Sequence, residues 1–349
     1  MSIPVNVRTH EGRRAKLARW TCKTGGVRLL EWVMRRPGLT VIGYHRIGDS
    51  TGSPYDPAVF DCTPEQLDQH IPYLKSHFHV VELEEAQELI ARPERLRHPH
   101  VLLTFDDGYL DNYEVAFPIL KSHDVQGTFF LPTAYVGTSN LMWSDKIAFM
   151  VRASKKDRIV LEYPNKQIIE RLTADSPSDA IREILQAYKS VSATNGSRFL
   201  ACLADACAVA IPETAPDRLF MNWQEAQQMI SGGMAVGSHT HSHPILTQLP
   251  FEQQLSELTR SRQILESNLG IRADALAYPV GSRTSFSTAT WDALQKAGYR
   301  TAFSYSGGTN LPGSIRPFDV RRIGVYQDQS FSSFRVGLTM ARLTGAKSF

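Results

Sequence analysis

The sequence has few cysteines, and none is spaced for a metal-binding or redox pair. The 349 residues include four cysteines, which are Cys22, Cys62, Cys202 and Cys207. No two of them form a CxxC pattern. Structural disulfides are typical of exported proteins. The first residues lack the apolar core and the small-residue cleavage site of a secretory signal. We therefore expect reduced thiols and a cytoplasmic protein.

Long apolar runs and a strong charge imbalance are also absent. No stretch of about 18 apolar residues occurs, so no transmembrane helix is predicted. The net charge of +3 is too close to neutral to indicate a nucleic-acid-binding protein. One segment departs from this balance, because residues 1–36 carry nine Lys and Arg against two Glu. We expect residues 1–37 to form a basic helical segment, either simply solvated or in peripheral contact with an anionic membrane surface.

The remaining sequence, residues 38–349, alternates strand and helix signals. Apolar runs such as 39–45 and 100–105 predict buried strands. A threonine cap followed by proline, with a glutamine to close a capping box, predicts a helix over 63–78. Repeated strand–helix units favour parallel strands covered by helices. Residues from about 144 to 221 break this rhythm with polar, helix-like pieces, so we expect a helical insertion there.

Two groups of polar residues follow predicted strands. Asp106 and Asp107 in TFDDGY end a buried strand, and each needs an opposite charge or a proton. In GSHTHSHP, His239 and His243 are neighbours if the chain makes a helical turn, but lie about 13 Å apart in extended chain. Both can then bind one metal ion, while His241 points elsewhere. Because ligand sites gather at the carboxyl ends of parallel strands, we expect a metal site at this edge.

Two imidazoles and one carboxylate leave open positions on a zinc-like ion, which is typical of a catalytic site. A water activated by such an ion attacks a carbonyl carbon, and the aspartate that is not a ligand can accept its proton. Spacing alone does not decide which aspartate has which role. Zinc is expected, and cobalt or nickel also suit these ligands. The same ligands suit the Fe(II) of an oxygenase, but the second aspartate favours hydrolysis.

TFDDGY and HTHSH resemble the first two motifs of the polysaccharide deacetylases, the NodB-homology or carbohydrate esterase family 4 enzymes. The resemblance extends over roughly residues 38–326. It implies a distorted (β/α) barrel and metal-dependent removal of N-acetyl groups from amino sugars. It also implies that Asp106 is the catalytic base and that Asp107, His239 and His243 bind the metal. The implied substrate is a carbohydrate. Because no export signal is recognised, we expect a lipid-linked or nascent glycan, for example one of exopolysaccharide synthesis.

The third motif of that family is altered here. In AYPVGS, Ala277 stands where the family has an arginine and Val280 where it has a tyrosine. The backbone N–H of Val280 can still donate to an oxyanion, because that role needs no side chain. Arg321 or Arg322 in DVRRIGV is expected to replace the missing arginine, unless both are ordinary strand charges.

The general acid is a second departure from the family, many of whose members carry a histidine near the C-terminal end. No histidine follows His243 here. His45 in VIGYHRIGD ends the first predicted strand and would face the same rim as the metal. We therefore predict that His45 protonates the leaving amine, with a water held by Arg322 or Asp319 as the alternative. Trp143, which opens the insertion, either stacks on a sugar or packs into the helix start.

These residues together predict a metal-dependent hydrolase that removes N-acetyl groups from an amino-sugar glycan. Two alternatives remain open. One is a deformylase or O-deacetylase on the same scaffold. The other is a non-catalytic glycan-binding protein that lost turnover together with its third motif. Retention of the base and of all three ligands favours catalysis.

Overall fold

Twelve strands lie in the part of the chain that the computed structural model describes, residues 31, 36–163, 166–171, 177–327 and 329–344. They are β1 (Gly38–Tyr44), β2 (Arg46–Ile47), β3 (Phe60–Cys62), β4 (His79–Val80), β5 (Pro99–Phe105), β6 (Gly127–Leu131), β7 (Arg158–Tyr163), β8 (Lys166–Arg171), β9 (Ala235–Ser238), β10 (Ala275–Ala277), β11 (Thr301–Ser304) and β12 (Val320–Gly324).

Parallel strands close into a barrel in the order β1, β12, β11, β10, β9, β6 and β5. The barrel closes where β1 pairs with β5, from Gly38 opposite Pro99 to Tyr44 opposite Phe105. Strand β4 lies outside this ring and pairs with the beginning of β5. Because all strands of the ring run the same way, their carboxyl ends meet at one rim. The expected (β/α) barrel is confirmed.

The α-helices in the described residues surround the barrel or belong to the insertion. They are α1 (Pro64–His77), α2 (Leu83–Ala91), α3 (Phe117–Ser122), α4 (Trp143–Ala153), α5 (Pro177–Tyr188), α6 (Gly196–Cys207), α7 (Trp223–Ser231), α8 (Phe251–Leu269), α9 (Thr288–Ala297) and α10 (Phe331–Thr344). The capping box predicted at Thr63 and Gln66 is present and begins α1. A second one, at Asn222 and Glu225, begins α7.

Alternation along β12 places a charged side chain inside the barrel. Val320 packs with the interior cluster that includes Leu39, Phe130 and Phe303, whereas Ile323 packs with the cluster under the helices. Successive strand residues point to opposite faces. Arg322 therefore shares the interior face with Val320, and its side chain is completely buried.

The insertion differs from the prediction, because it contains strands as well as helices. Helices α4, α5 and α6 share an apolar core with β7, and β7 pairs with β8 as an antiparallel hairpin. In β7 the apolar residues Ile159 and Leu161 are buried while their neighbours are more exposed. This period of two is a strand signal, but it is short and flanked by charged residues. The sequence analysis expected the helices of this insertion but did not predict its hairpin, because that signal is weak.

The predicted basic segment, residues 1–37, lies outside the described residues except at Glu31, Arg36 and Pro37. Glu31 accepts a hydrogen bond from the Tyr73 hydroxyl (2.6 Å) and is paired with Arg335 (2.9 Å). The helices in the described part of the chain are all too short or too polar to cross a bilayer.

Candidate metal centre and active site

The two aspartates follow β5 in a turn that sends their side chains in different directions. Asp107 has φ +73° and Gly108 has φ +66°, so two successive residues adopt left-handed backbone. Such a conformation is uncommon for a residue other than glycine. A Cβ at Gly108 would also lie 2.8 Å from a methyl group of Leu131. The backbone therefore requires glycine at position 108, directly after the two aspartates.

The histidine cluster follows β9 in a tight loop, so the strand ends before it, which is the condition under which His239 and His243 can be neighbours. Thr240 has φ +66° and His243 has φ +59°, and these left-handed residues fold the chain back on itself. Nε2 of His239 lies 3.3 Å from Oδ1 of Asp107, and Nε2 of His243 lies 3.2 Å from the same oxygen. One ligand atom from each of the three residues lies within 4.8 Å of the others, and all three side chains are buried.

The donor set and its surroundings fit a divalent cation. Nδ1 of His239 is 2.8 Å from the carbonyl oxygen of Ala277, so it must carry the proton and leaves Nε2 free as a ligand. Oδ1 of Asp107 is buried and has no well-aligned hydrogen-bond donor among the described residues. A buried carboxylate oxygen without such a donor is costly unless a cation binds it.

The charge states also suit metal binding. Burial alone would raise the pKa of Asp107, but its contacts with His239 and His243 hold it well below the ordinary value. Burial lowers the pKa of His243, and this outweighs the effect of Asp107. Asp107 is therefore charged and His243 neutral near pH 7, which are the forms that bind metal.

A carboxylate from α8 supports the histidine loop. Glu257 accepts backbone hydrogen bonds from His241 (3.0 Å) and Ser242 (2.8 Å) and a third from the Ser242 hydroxyl (2.7 Å). The His241 ring points away from Asp107 and contacts the Thr133 hydroxyl through Nδ1 (2.9 Å). The expectation that His241 points elsewhere is met. Sequence spacing gave no signal for Glu257, which lies on a separate helix.

We predict that Glu257→Ala weakens metal binding by about 10–100-fold, the usual effect of losing a residue that orients ligands. Without this carboxylate, the strained loop loses three hydrogen bonds that hold its shape. Competition with a chelating dye measures the affinity. Glu252→Ala, an exposed glutamate on the same helix, is the matched control. Equal affinities for the two variants would show that the loop keeps its shape without Glu257.

Asp106 lies in a separate environment from Asp107. Its Oδ1 accepts a hydrogen bond from Nη1 of Arg322 at 2.7 Å, and both side chains are almost completely buried. Burial would raise the pKa of Asp106, but Arg322 and His239 hold it below the ordinary value. Of the two arginines predicted to replace the missing one, Arg322 makes this contact. The backbone N–H of Arg321 instead donates to Asn310.

His45 lies on the same rim, beside Asp106. Its Nε2 is 3.9 Å from Oδ2 of Asp106, and its Nδ1 is 3.0 Å from Oδ2 of Asp61. Burial lowers the pKa of His45, but Asp61, Asp107 and Asp106 together outweigh this and raise it to about 9. The side chain of Asn112 donates to the His45 carbonyl oxygen (2.6 Å) and so fixes its backbone. His45 is therefore charged near neutral pH.

Tyr305 and Asp61 are site residues that the sequence reasoning missed. The Tyr305 ring stacks on His45, with centroids 5.7 Å apart, and on the Arg322 guanidinium, with Cζ 4.0 Å from its centroid. Its hydroxyl oxygen is buried without a hydrogen-bond partner among the described residues. Tyr305 follows β11 directly, so the strand-end rule that found the aspartates could have found it. Asp61 gave no such signal, because β3 lies outside the barrel.

Two further candidates, Val280 and Trp143, lie at the edge of this arrangement. Val280 has φ +64°, a strained conformation for a β-branched residue. The next residue, Gly281, accepts the backbone N–H of Tyr305 at 2.7 Å, which places the turn beside the site. The indole N–H of Trp143 donates to the His243 carbonyl oxygen at 3.2 Å. Its ring stacks on Tyr188, with centroids 4.6 Å apart, so packing accounts for its present contacts.

Asp319, one of the two residues considered as the holder of a water that acts as the acid, already binds two hydroxyl groups. Its Oδ1 accepts hydrogen bonds from the hydroxyls of Ser304 (2.6 Å) and Ser306 (3.1 Å). Taken together, the described structure gathers five site residues just after barrel strands and adds Arg322, which reaches them from within β12: His45, Asp106, Asp107, His239 and His243.

Known proteins share both the sequence pattern and the fold. The sequence profile described as polysaccharide deacetylase matches residues 94–302. YxkH of Bacillus subtilis (strain 168), assigned by name to the polysaccharide deacetylases, is 20% identical over 303 residues, covering 85% of this chain and 74% of that protein.

Solved structures show the same fold at low identity. The deacetylase PplD of Streptococcus pyogenes, in complex with acetate, has a TM-score of 0.56 and 18% identity, covering 84% of this chain and 95% of its own. IcaB from Ammonifex degensii has a TM-score of 0.56 and 21% identity, and the match covers 88% of this chain and 98% of IcaB. A de-N-acetylase from Aggregatibacter actinomycetemcomitans has a TM-score of 0.52 and 18% identity, and the match covers 85% of this chain and 98% of the de-N-acetylase. The predicted resemblance is confirmed: this chain belongs to the polysaccharide deacetylase family of hydrolases.

Proposed function

We propose that this protein removes N-acetyl groups from amino-sugar residues of a glycan, with the help of one divalent ion. The observation that carries this proposal is the separation of the two adjacent carboxylates. Asp107 faces His239 and His243, while Asp106 faces Arg322 and His45. A structural neighbour named as a de-N-acetylase and another solved with acetate support the N-acetyl group as the target. Zinc suits two imidazoles and one carboxylate, and cobalt or nickel are the next candidates.

In this proposal Asp107, His239 and His243 hold the ion, and Asp106 acts as general base. The cation supplies Lewis-acid polarisation of the acetamide carbonyl and a lowered pKa for the attacking water. Asp106 accepts the water's proton through Oδ2, the buried oxygen that has no hydrogen-bond donor among the described residues. Arg322 holds the other oxygen and keeps this carboxyl ionised before reaction.

His45 acts in this proposal as general acid for the leaving nitrogen. Its Nε2 faces the site while Asp61 holds Nδ1, so the donated proton is the one on Nε2. We assign the developing oxyanion to the backbone N–H of Val280, because that role needs no side chain and Val280 lies in a turn beside the site. The C–N bond breaks as the nitrogen takes the proton from His45. Acetate and a free amino sugar result.

A panel of acylated sugars tests the reaction class. Metal-loaded protein is incubated with N-acetyl, N-formyl and O-acetyl forms of the same oligosaccharide, and products are identified by mass spectrometry. We expect the N-acetyl form to lose its acyl group fastest. Faster turnover of the N-formyl or O-acetyl form would replace the proposal with deformylase or O-deacetylase activity. Binding without turnover of any member would indicate a glycan-binding protein.

The pH dependence of turnover tests the role of His45. His45→Ala should lower kcat by about 10²–10⁴-fold and remove the alkaline limb of the pH–rate profile. In the wild type that limb marks the loss of the His45 proton. Asp61 raises the pKa of His45, so Asp61→Asn should shift the limb to lower pH. Metal content should stay unchanged in both variants. An intact alkaline limb in His45→Ala would assign the acid to another group.

The substrate we propose is a glycan of exopolysaccharide synthesis that is available in the cytoplasm. IcaB is among the structural neighbours, and the sequence-based expectation of a cytoplasmic protein points to lipid-linked or nascent chains. Peripheral membrane contact through the basic residues 1–36 stays a prediction, because almost all of that segment lies outside the described residues. Co-sedimentation of full-length and truncated protein with anionic vesicles would measure it.

A further inference from the structure

One large apolar side chain is markedly exposed in the described part of the chain. Tyr326 has 54% of its surface accessible to solvent. It follows β12 by two residues and therefore lies at the barrel rim that carries the candidate active site. Single exposed aromatic residues are common on protein surfaces. Tyr326 is of interest because it lies at the rim of the barrel and because the loop that carries it is anchored by hydrogen bonds.

The Tyr326 side chain folds back toward Gly324, at the end of β12. A Cβ placed on Gly324, the last residue of β12, would be 3.6 Å from the Tyr326 hydroxyl oxygen and 3.7 Å from Cε1 of Tyr305. Tyr305 in turn stacks on His45, with ring centroids 5.7 Å apart. Tyr326 and Tyr305 therefore both approach the same face of Gly324, and Tyr326 is the one of the two that is exposed to solvent.

Hydrogen bonds of the next residue fix this part of the rim. Nε2 of Gln327 donates to the carbonyl oxygen of Gly48 at 3.1 Å, and its Oε1 accepts from the Ser50 hydroxyl at 2.9 Å. Gly48 and Ser50 belong to the segment that follows His45 and β2. These bonds tie the loop that carries Tyr326 to the segment after β2, so the backbone that presents the tyrosine is anchored at this rim. A ligand site built on an anchored backbone needs less ordering when it binds.

The ligand chemistry follows from the shape of the exposed side chain. A tyrosine ring offers a flat apolar face with a polar tip, and it has only two side-chain torsions to order. A pyranose ring offers a face of C–H groups bordered by hydroxyls, which complements it. Trp143, the other aromatic candidate at the site, already stacks on Tyr188 and donates its N–H to His243.

We propose that Tyr326 is a stacking platform for the sugar residue next to the one whose acetamide reacts. The preferred substrate is then an oligosaccharide or polysaccharide rather than a monosaccharide. This inference rests on the proposed deacetylase function and adds to it a second sugar subsite.

Kinetics on short and long substrates tests the platform. For Tyr326→Ala we expect the KM for an N-acetylglucosamine tetramer to rise about tenfold, equivalent to about 1.4 kcal/mol. The kcat for the tetramer and the kcat/KM for the monosaccharide should stay near the wild-type values. Tyr326→Phe and Tyr326→Trp keep a flat ring and should keep the wild-type KM. An unchanged KM in Tyr326→Ala, or equal losses on monosaccharide and tetramer, would overturn the proposal.

Calorimetric binding of the same tetramer to metal-loaded wild type and Tyr326→Ala separates this inference from the deacetylase function. About tenfold weaker binding by the variant supports the platform even if no acetate is released. Equal affinity, or no binding to the wild type, rejects the platform even if deacetylation is observed.

Discussion

Replacing His239 or His243 with alanine should remove the metal ion and with it nearly all turnover. The described structure offers a single cluster of three potential ligands, Asp107 and these two histidines. Loss of one leaves two protein ligands, which is fewer than a catalytic zinc site normally has. We expect the loss of affinity to exceed the about 10–100-fold that a residue orienting a ligand contributes. Elemental analysis of dialysed protein measures the metal content directly.

His241→Ala is the matched control for these variants, because it removes the same side chain from the same loop. His241 faces Thr133 rather than Asp107. The His241→Ala variant should therefore retain the metal and most of the activity. Full metal occupancy in both His239→Ala and His243→Ala would show that the ion, if any, binds elsewhere.

Replacing Asp106 with asparagine should leave the fold and the metal in place but reduce kcat by about 10²–10⁴-fold, the usual contribution of a general base. The amide oxygen of asparagine can still accept the hydrogen bond from Arg322. However, neither the oxygen nor the nitrogen of the amide takes up a proton near pH 7, so the variant has no base at this position. The buried Arg322 does lose its nearest counter-charge, and breaking a buried ion pair can cost about 3–5 kcal/mol. Denaturant unfolding should therefore accompany the kinetics, so that loss of activity is measured on folded protein.

Asp107→Asn separates the two carboxylates. We expect this variant to lose metal as well as turnover, whereas Asp106→Asn loses turnover alone. A near-wild-type rate in Asp106→Asn would exclude Asp106 as the base. Metal loss in Asp106→Asn would instead make it a ligand.

Strand-end residues account for most of what the sequence could predict about the site. β5 and β9 carry clear local signals, and the residues that follow them hold both aspartates and both histidines. Closure of a parallel barrel brings such ends together without further information. The turn after β5 then sends the side chain of Asp107 to the two histidines and that of Asp106 to Arg322. The family resemblance assigned their roles, which the variants above now test.

Contacts set by tertiary register could not be predicted in the same way. Arg321 and Arg322 are adjacent, and only the position of β12 in the barrel decides which one points inward to Asp106. Asp61 reaches His45 from a short strand outside the barrel, and Glu257 reaches the histidine loop from α8. These residues lie 16 and 15 positions along the chain from the groups they hold, beyond any local periodicity.

The Fe(II) oxygenase alternative loses support from both the family membership and the second carboxylate. Asp106 is held by Arg322 on one oxygen and has His45 near the other, an arrangement that serves proton transfer. A non-catalytic glycan-binding role has no need of this pairing.

Metal titration of the metal-free protein tests the central claim most directly. Acetate released from an N-acetylated oligosaccharide is measured as zinc, cobalt or nickel is added in steps. The proposed site predicts negligible release without metal, a rise with occupancy and saturation at one ion per chain. Full turnover by metal-free protein, or a rate that does not depend on metal occupancy, would contradict it.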